Sequence, residues 1–307
     1  MGIITTASFA KALWPGVRTW YGLKYAEYPV EYLDIFTKYN SSMAFEEEAG
    51  ISGFGLARIK PEGTGITYDS ASQSFVARYV HAVYALGFMI SKEMYDDGMG
   101  EVTALRRANA LAFSIRQTKE VLGANVLNRA FTAAYTMGAN HDGQPLCSLT
   151  HPNKAGGTWS NIISASADLS EAALEQACID IAGFKNDRGL QIAVKPVGII
   201  IPPGLEFTAA RILKSIQQSG TSYNDINAVR VLGKFPQGAK VNNYLTADAD
   251  AWWVKTDCPD GLKYFERNGD SFGVDNDFDT NNAKFKAEFR GQFGWTDPRC
   301  ALGSQGA

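Results

Sequence analysis

Charge is scarce in this chain: Asp, Glu, Lys and Arg supply 20% of its 307 residues, with 29 basic against 32 acidic side chains and a formal net charge of -3. No basic cluster resembles a phosphate-binding surface, so sequence-independent nucleic-acid binding is not the expected main work. Cysteine is also scarce. Cys147, Cys178, Cys258 and Cys300 lie too far apart for a zinc motif and are too few for a disulfide scaffold, which fits folding in a reducing compartment. Of the three histidines, His81 falls in a strand pattern as a partly buried or interfacial side chain. His141 and His151 stand in turns without Cys or Glu at metal-ligand spacing. Long apolar runs are missing: Val197–Ile201 stops at Pro202-Pro203, far too short to span a bilayer, and Met1–Trp14 fits neither a secretion signal nor an anchor.

Motifs of catalysis are missing too. Gly53-Phe54-Gly55 lacks the third glycine and the strand-to-helix setting of a nucleotide fingerprint, and neither a phosphate loop nor a nucleophile elbow occurs. Asp275, Asp277 and Asp279 open like a calcium loop, but Thr280 stands where glycine is needed and Lys286 where the bidentate Glu belongs. No catalytic, cofactor-binding or metal residue is therefore assigned. A paired-carboxylate site leaves no local motif, so a soluble α+β enzyme using clustered carboxylates stands as the reading from another class.

What is present is 45% hydrophobic content, enough for a substantial core in one elongated unit or two lobes. Its organising stretch runs from Glu101 to Thr136. Val102, Leu105, Ala108, Ala112, Ile115, Leu122 and Val126 recur at helical spacing, with Lys119 as a weak point in the stripe, and this predicts one long amphipathic helix stopped near Gly138 or Asn140. At 1.5 Å per residue it would span roughly 50 Å, a strut rather than a core segment. Gly123 is either a weak spot or a close-packing point.

Residues 1–40 alternate small residues with aromatics, including Trp14, Trp20, Tyr28, Tyr32 and Phe36. Without periodicity such an arm does not bury itself easily, so it is expected to lie across another part of the fold or a neighbouring subunit, the other reading being an ordinary irregular lobe of the same core. Residues 41–95 read as a long hairpin: Ser52–Lys60 outgoing, a Pro61–Gly65 tip, and a return strand from Ser74 to Ile90. Val76, Val80, Tyr84, Leu86, Phe88 and Ile90 share one parity of that return, with Tyr79, Val83 and Met89 on the other. Apolar residues on both faces call for cover on both sides, which packing against another subunit would provide.

Beyond a loop-rich passage, Asp168 or Ser170 caps a helix over Glu171–Lys185, a strand region spans Ile192–Ile201, and a helix follows over Leu205–Gln217. Ile226–Leu232, Tyr244–Thr246, Ala251–Lys255, Gly261–Glu266 and Ala283–Phe293 are strand candidates, giving an α+β chain.

The order of elements, together with Trp20-Tyr21-Gly22, Tyr28-Pro29, His151-Pro152, Ile201-Pro202-Pro203, Ala247–Trp252 and Phe293-Gly294-Trp295, resembles the HK97-type major capsid proteins of tailed bacteriophages, in the branch of Mu-like major head subunits. The resemblance implies an N-terminal arm at 1–40, an extended hairpin or E-loop with its base at 41–95, a spine helix within a peripheral domain at 96–144, an axial domain at 145–250, and C-terminal strands returning to the peripheral domain at 251–307. It further implies a structural subunit without enzymatic activity or cofactor, assembling as hexamers and pentamers in the host bacterial cytoplasm into an icosahedral shell around double-stranded DNA, with no membrane partner. Because the aromatic arm begins close to Met1, a separate scaffolding protein is expected, with a portal and a possible decoration protein as further partners. Some relatives form a Lys–Asn cross-link; Lys60 lies near the hairpin tip, but noncovalent assembly is expected here. Trp14, Trp20, Tyr28, Lys60, Gly63, Gly65, Tyr79, Val80, Val83 and Tyr84 are the expected inter-subunit contacts. An encapsulin-like compartment is the alternative within the same fold.

Overall fold

The computed structural model describes residues 29–97, 100–154, 156–218, 225–277 and 282–307. Its elements, in chain order, are α1 (Tyr32–Ile35), β1 (Thr37–Asn40), β2 (Phe45–Ile51), β3 (Gln73–Val80), β4 (Ala82–Ile90), α2 (Lys92–Asp96), α3 (Gly100–Asn128), β5 (His151–Pro152), β6 (Thr158–Trp159) and α4 (Glu171–Ala182). Then come β7 (Pro196–Ile201), α5 (Glu206–Lys214), α6 (Ala228–Val231), β8 (Ala239–Val241), β9 (Trp252–Thr256), β10 (Leu262–Asn276), β11 (Ala283–Trp295) and β12 (Ala301–Ser304).

Two four-stranded sheets carry the chain. The first has the order β1-β10-β11-β4, with β1 parallel to β10 and the other pairs antiparallel. Along β11, Phe285, Ala287, Phe289, Gly291 and Phe293 alternate inward with polar residues between them, the period-two pattern of a sheet with one buried face. That face packs on α3 through Ala104, Ala108, Leu111, Ala112 and Ile115. The second sheet has the order β12-β9-β7-β8. Ile199, Ile201, Trp252 and Val254 face a core closed by Leu174, Ala177 and Ile181 of α4, while Ile200, Trp253 and Ala301 face the first core. Cover on both faces is what the unbroken Val197–Ile201 run requires.

The long helix forms as the periodicity dictates but ends at Asn128, eight residues before Thr136. There the Asn128 side chain leaves the helix: Nδ2 donates to Tyr244 O at 3.1 Å, and Oδ1 accepts from Thr246 N at 3.2 Å and Ala247 N at 3.3 Å. The chain then tightens through Ala130 N to Leu127 O and Thr132 N to Arg129 O. Lys119 does not break the apolar stripe. It is 1% exposed, and its ammonium is neutralised by Glu266 at 3.1 Å and Asp270 at 2.8 Å, where irregular register in β10 brings both carboxylates to the helix. Gly123 is a close-packing point: an added Cβ would lie 3.2 Å from Tyr32 and 3.3 Å from Phe293.

Several expectations are corrected. Ser52–Lys60 is not a strand; β2 lies earlier, over Phe45–Ile51. The return is two strands, with β3 pairing β2 and β4 pairing β11. The break at His81 also inverts the pleat: Ala77 and Tyr79 point inward in β3, whereas Tyr84, Phe88 and Ile90 are the more covered positions in β4. Apolar residues of both parities therefore reflect two differently facing strands. Ile226–Leu232 gives the short helix α6, whose Asn227 cap accepts from Arg230 N at 3.0 Å, and Tyr244–Thr246 is a turn while β8 forms upstream. Residues 251–307 divide between the sheets, β9 and β12 joining the second and β10 and β11 the first. The end of the aromatic segment is core: Tyr32, Ile35 and Phe36 are buried, and Tyr32 and Phe36 meet Phe293 edge-on at 5.5 and 5.2 Å.

Candidate assembly surface

The β2–β3 ribbon carries a long excursion clasped at its root by two serines. Ser52 N and Ser52 Oγ both donate to Ser72 O at 2.9 Å, and Ser72 N donates to Ser52 Oγ at 3.0 Å. Outside this clasp, residues 53–72 form no strand, because Pro, Gly and Ser are too frequent for a ladder. A turn at Pro61–Thr64 forms the tip, closed by Thr64 N to Pro61 O at 3.3 Å, and Gly63 at φ 78° supplies the positive dihedral its third position requires. Asp69 holds the excursion by accepting from Gly55 N at 2.8 Å and from Arg188, between α4 and β7, at 2.8 Å. The Gly55 amide, then Arg188, hold the Asp69 carboxyl below the usual carboxylate range.

This excursion presents large apolar side chains to solvent. Phe54, Leu56, Ile59, Ile66 and Tyr68 are exposed, Ile59 to 95%. Among the sequence-predicted contacts, Lys60, Gly63 and Gly65 lie on it and are exposed. Val80 and Val83 are exposed at the end of β3 and the start of β4, joined by Leu86 and Met89. Tyr84 is half-buried, stacked on Phe289 at 5.1 Å. Tyr79 is corrected: it is fully buried in its own chain, its hydroxyl 2.8 Å from Thr296 Oγ1 and its ring 4.7 Å from Phe265, so no neighbour can reach it. Trp14, Trp20 and Tyr28 lie outside the described residues.

Sequence reasoning missed the apolar side chains of the excursion itself. They follow neither helical nor strand periodicity, and their signal is only that apolar residues persist in a turn-rich stretch. It also missed a second set of exposed apolar side chains on and between α5 and α6: Phe207 on α5, Ile216 and Ile226 in the following loop, and Val231 and Leu232 at the end of α6. No group of three or more His, Cys, Asp or Glu among the described residues is placed to hold a metal ion.

No curated protein matches the chain in sequence. Solved structures match in fold. The capsid of a native GTA particle superposes with a TM-score of 0.56 at 14% identity, covering 90% of each chain. A protein of Mycobacterium phage Patience gives 0.53 at 12% identity, covering 100% of this chain and 89% of the other. A virus-like particle from Pyrococcus furiosus gives 0.50 at 13% identity, covering 94% and 97%. At these identities the likeness establishes the fold, an α+β architecture of the HK97 capsid type. The sequence model of a family described as phage capsid protein matches residues 76–303, from within β3 to within β12. That match takes in α3, every strand of the two four-stranded sheets except β1, and the second core, so the chain belongs to the phage capsid protein family.

Proposed function

We propose that this chain is the structural subunit of an icosahedral head shell that encloses the double-stranded DNA genome of a tailed bacteriophage. The observation that carries the reading is the phage capsid family match over residues 76–303. A structural rather than catalytic role follows from that membership. In this reading β2, β3 and the excursion between them are the E-loop, α3 is the spine helix, the second sheet with α4, α5 and α6 is the axial domain, and the first sheet belongs to the peripheral domain.

The exposed apolar side chains of the excursion support assembly, since each large one covered by a neighbour contributes roughly 1.5–3 kcal/mol, repeated at every symmetry-related contact. Copies of the chain meet as hexamers and pentamers through Lys60, Gly63, Gly65, Val80, Val83 and Tyr84, and through the arm with Trp14, Trp20 and Tyr28. Phe207, Ile216 and Val231 offer a second contact between copies. Assembly is noncovalent, occurs in the host bacterial cytoplasm with a separate scaffolding protein and a portal, and leaves the shell as part of the virion. The His151-Pro152 and Ile201-Pro202-Pro203 wording favours the Mu-like branch. With net charge -3, the subunit tolerates packed DNA without gripping its sequence.

Expression alone and with the scaffold, followed by light scattering and negative-stain microscopy, tests the reading. Pentamers, hexamers or closed shells are expected, and a compact monomer at high concentration under every condition would overturn it. The likeness to the Pyrococcus furiosus virus-like particle keeps one competing outcome in the same experiment: shells that enclose an enzyme cargo rather than DNA would make the chain an encapsulin-like compartment subunit.

A further inference from the structure

Three crossings connect the two sheets, and two of them meet at a cluster built around one buried carboxylate. The chain leaves α3 and reaches α4 through residues 129–170, returns from β9 to β10 through 257–261, and crosses again from β11 to β12 through 296–300. Asp142, on the first crossing, is flanked by two buried imidazoles. His141 Nδ1 lies 2.6 Å from Asp142 Oδ1, and His151 Nδ1 lies 2.6 Å from Asp142 Oδ2. The other ring nitrogens also face acceptors: His141 Nε2 is 3.0 Å from the carbonyl oxygen of Thr296, and His151 Nε2 is 3.0 Å from Asn161 Oδ1.

Hydrogen-bond bookkeeping fixes what these nitrogens carry. A backbone carbonyl only accepts, so His141 Nε2 carries a proton. Asn161 is held in one orientation, because its Nδ2 donates to Leu146 O at 2.7 Å and to Pro298 O and Ala301 O at 3.0 Å, while its Oδ1 accepts from Ser148 N at 2.8 Å. His151 Nε2 therefore donates as well. Two further protons must lie between the rings and Asp142, or a lone pair faces a carboxylate oxygen inside the protein, and that carboxylate already accepts from Gln144 N at 3.0 Å. With all four bonds made, the cluster holds one proton more than its neutral form.

We propose that the His141–Asp142–His151 cluster is a proton-held latch that fixes the second sheet against the first and releases as the pH rises past neutrality. Its partners lie on two of the crossings: Thr296 and Pro298 belong to the β11–β12 passage, which Ala301 follows as the first residue of β12, and Leu146 and Ser148 belong to the passage after α3. The third is tied to these, since Thr256 Oγ1 donates to Arg299 O at 2.7 Å and Asp297 N donates to Asp260 O at 2.8 Å. Burial alone would lower the His141 pKa; the bond to Asp142, the Asp142 charge, the Thr296 carbonyl and the Asp297 charge outweigh it and raise it. The Asp142 carboxyl is opposed by the same burial and is held low by both imidazoles. Other charges around the cluster are Lys154, over the Phe75 ring that faces His141, and Arg299, over the Trp159 ring that stacks on His151. Asp187 and Asp260 share with His141 and Asp142 the lining of an adjoining cavity of about 350 Å³. A histidine whose folded pKa is raised contributes stability that is full below the unfolded value near 6.5 and is lost as the pH climbs through the folded value. The latch is therefore closed in mild acid and opens in mild base.

Histidine-labelled full-length subunit tests this, because only three imidazoles are present and His81, whose pKa burial lowers, serves as an internal reference. At pH 6 the ¹⁵N spectrum is expected to show His141 protonated on both nitrogens; a neutral His141 tautomer overturns the proposal. Amide exchange, corrected for its intrinsic pH dependence, is expected to lose protection about tenfold between pH 6 and 9 in residues 138–148 and 296–303, with residues 283–293 unchanged. Constant protection in the first two segments, or equal loss in the third, overturns it. In His141→Gln the pH response of these segments is expected to vanish; the same response at the same midpoint overturns the assignment. If that variant does not fold, the wild-type nitrogen spectrum and exchange profile decide the matter alone.

Discussion

Val83→Ser and Tyr79→Ala, close in sequence, should have opposite consequences. Val83 is 61% exposed, so only the remaining two-fifths of its surface is covered by its own chain. At about 1.5 kcal/mol for complete burial of a valine, the subunit should lose roughly 0.5 kcal/mol on Val83→Ser, while a neighbour covering the rest would lose about 1 kcal/mol per contact. That corresponds to about a fivefold loss in each contact's equilibrium constant, compounded around a ring of copies. Tyr79 is fully buried and hydrogen-bonded to Thr296, so its truncation should cost the subunit about 3–5 kcal/mol, a large part of the stability of an ordinary domain. Urea unfolding of disassembled subunits and particle yield by sedimentation measure the two effects side by side. The expected result is a near-native midpoint with fewer particles for Val83→Ser, and a lowered midpoint for Tyr79→Ala. A large midpoint shift for Val83→Ser, or wild-type particle yield from it, would refute the reasoning.

Replacing residues 62–68 by a short Gly-Ser turn should leave circular dichroism near native and reduce closed particles, because the residues replaced are exposed and lie outside both cores; insoluble protein would assign the tip to the subunit fold instead. Lys119→Met should cost about 3 kcal/mol in chemical unfolding, since Glu266 and Asp270 stay beside an apolar helix face, with Lys38 and the Tyr264 hydroxyl left to Glu266; unchanged or higher stability would contradict this. Burial alone would raise the Glu266 pKa, but Lys38 and Lys119 outweigh it and lower it, so its contribution is full above the unfolded value near 4.3 and is lost as the pH falls through the folded value. Unfolding curves between pH 6 and 3 should show that loss, and Lys119→Met should flatten it. Gly123→Val should cost about 1–3 kcal/mol, because its Cβ meets Tyr32 and Phe293 where α3 packs closely on α1 and β11; a wild-type melting curve would show that the gap can open.

Local pattern alone determined the elements whose partners lie within the element or directly across a sheet. The α3 stripe, the α4 helix and the alternation along β11 were legible because their periods, 3.6 and 2, repeat over many residues, while the choice of Ser170 over Asp168 as the α4 cap came from the structure. The poverty in charge and histidine, and the turn chemistry around Gly63, were equally plain. Tertiary structure decided everything that depends on a partner distant in sequence. Lys119 looked like a flaw in the helix until Glu266 and Asp270 were brought to it from β10. One apolar return strand became two when His81 inverted the pleat, turning Tyr79 inward and leaving Val83 in water. His141 and His151, unremarkable in separate turns, became a cluster only because Asp142 and Asn161 placed both rings beside the β11–β12 crossing. Periodicity records which face of an element is covered, but not which side chain from another part of the chain covers it, and buried charge is tolerated only where such a partner exists.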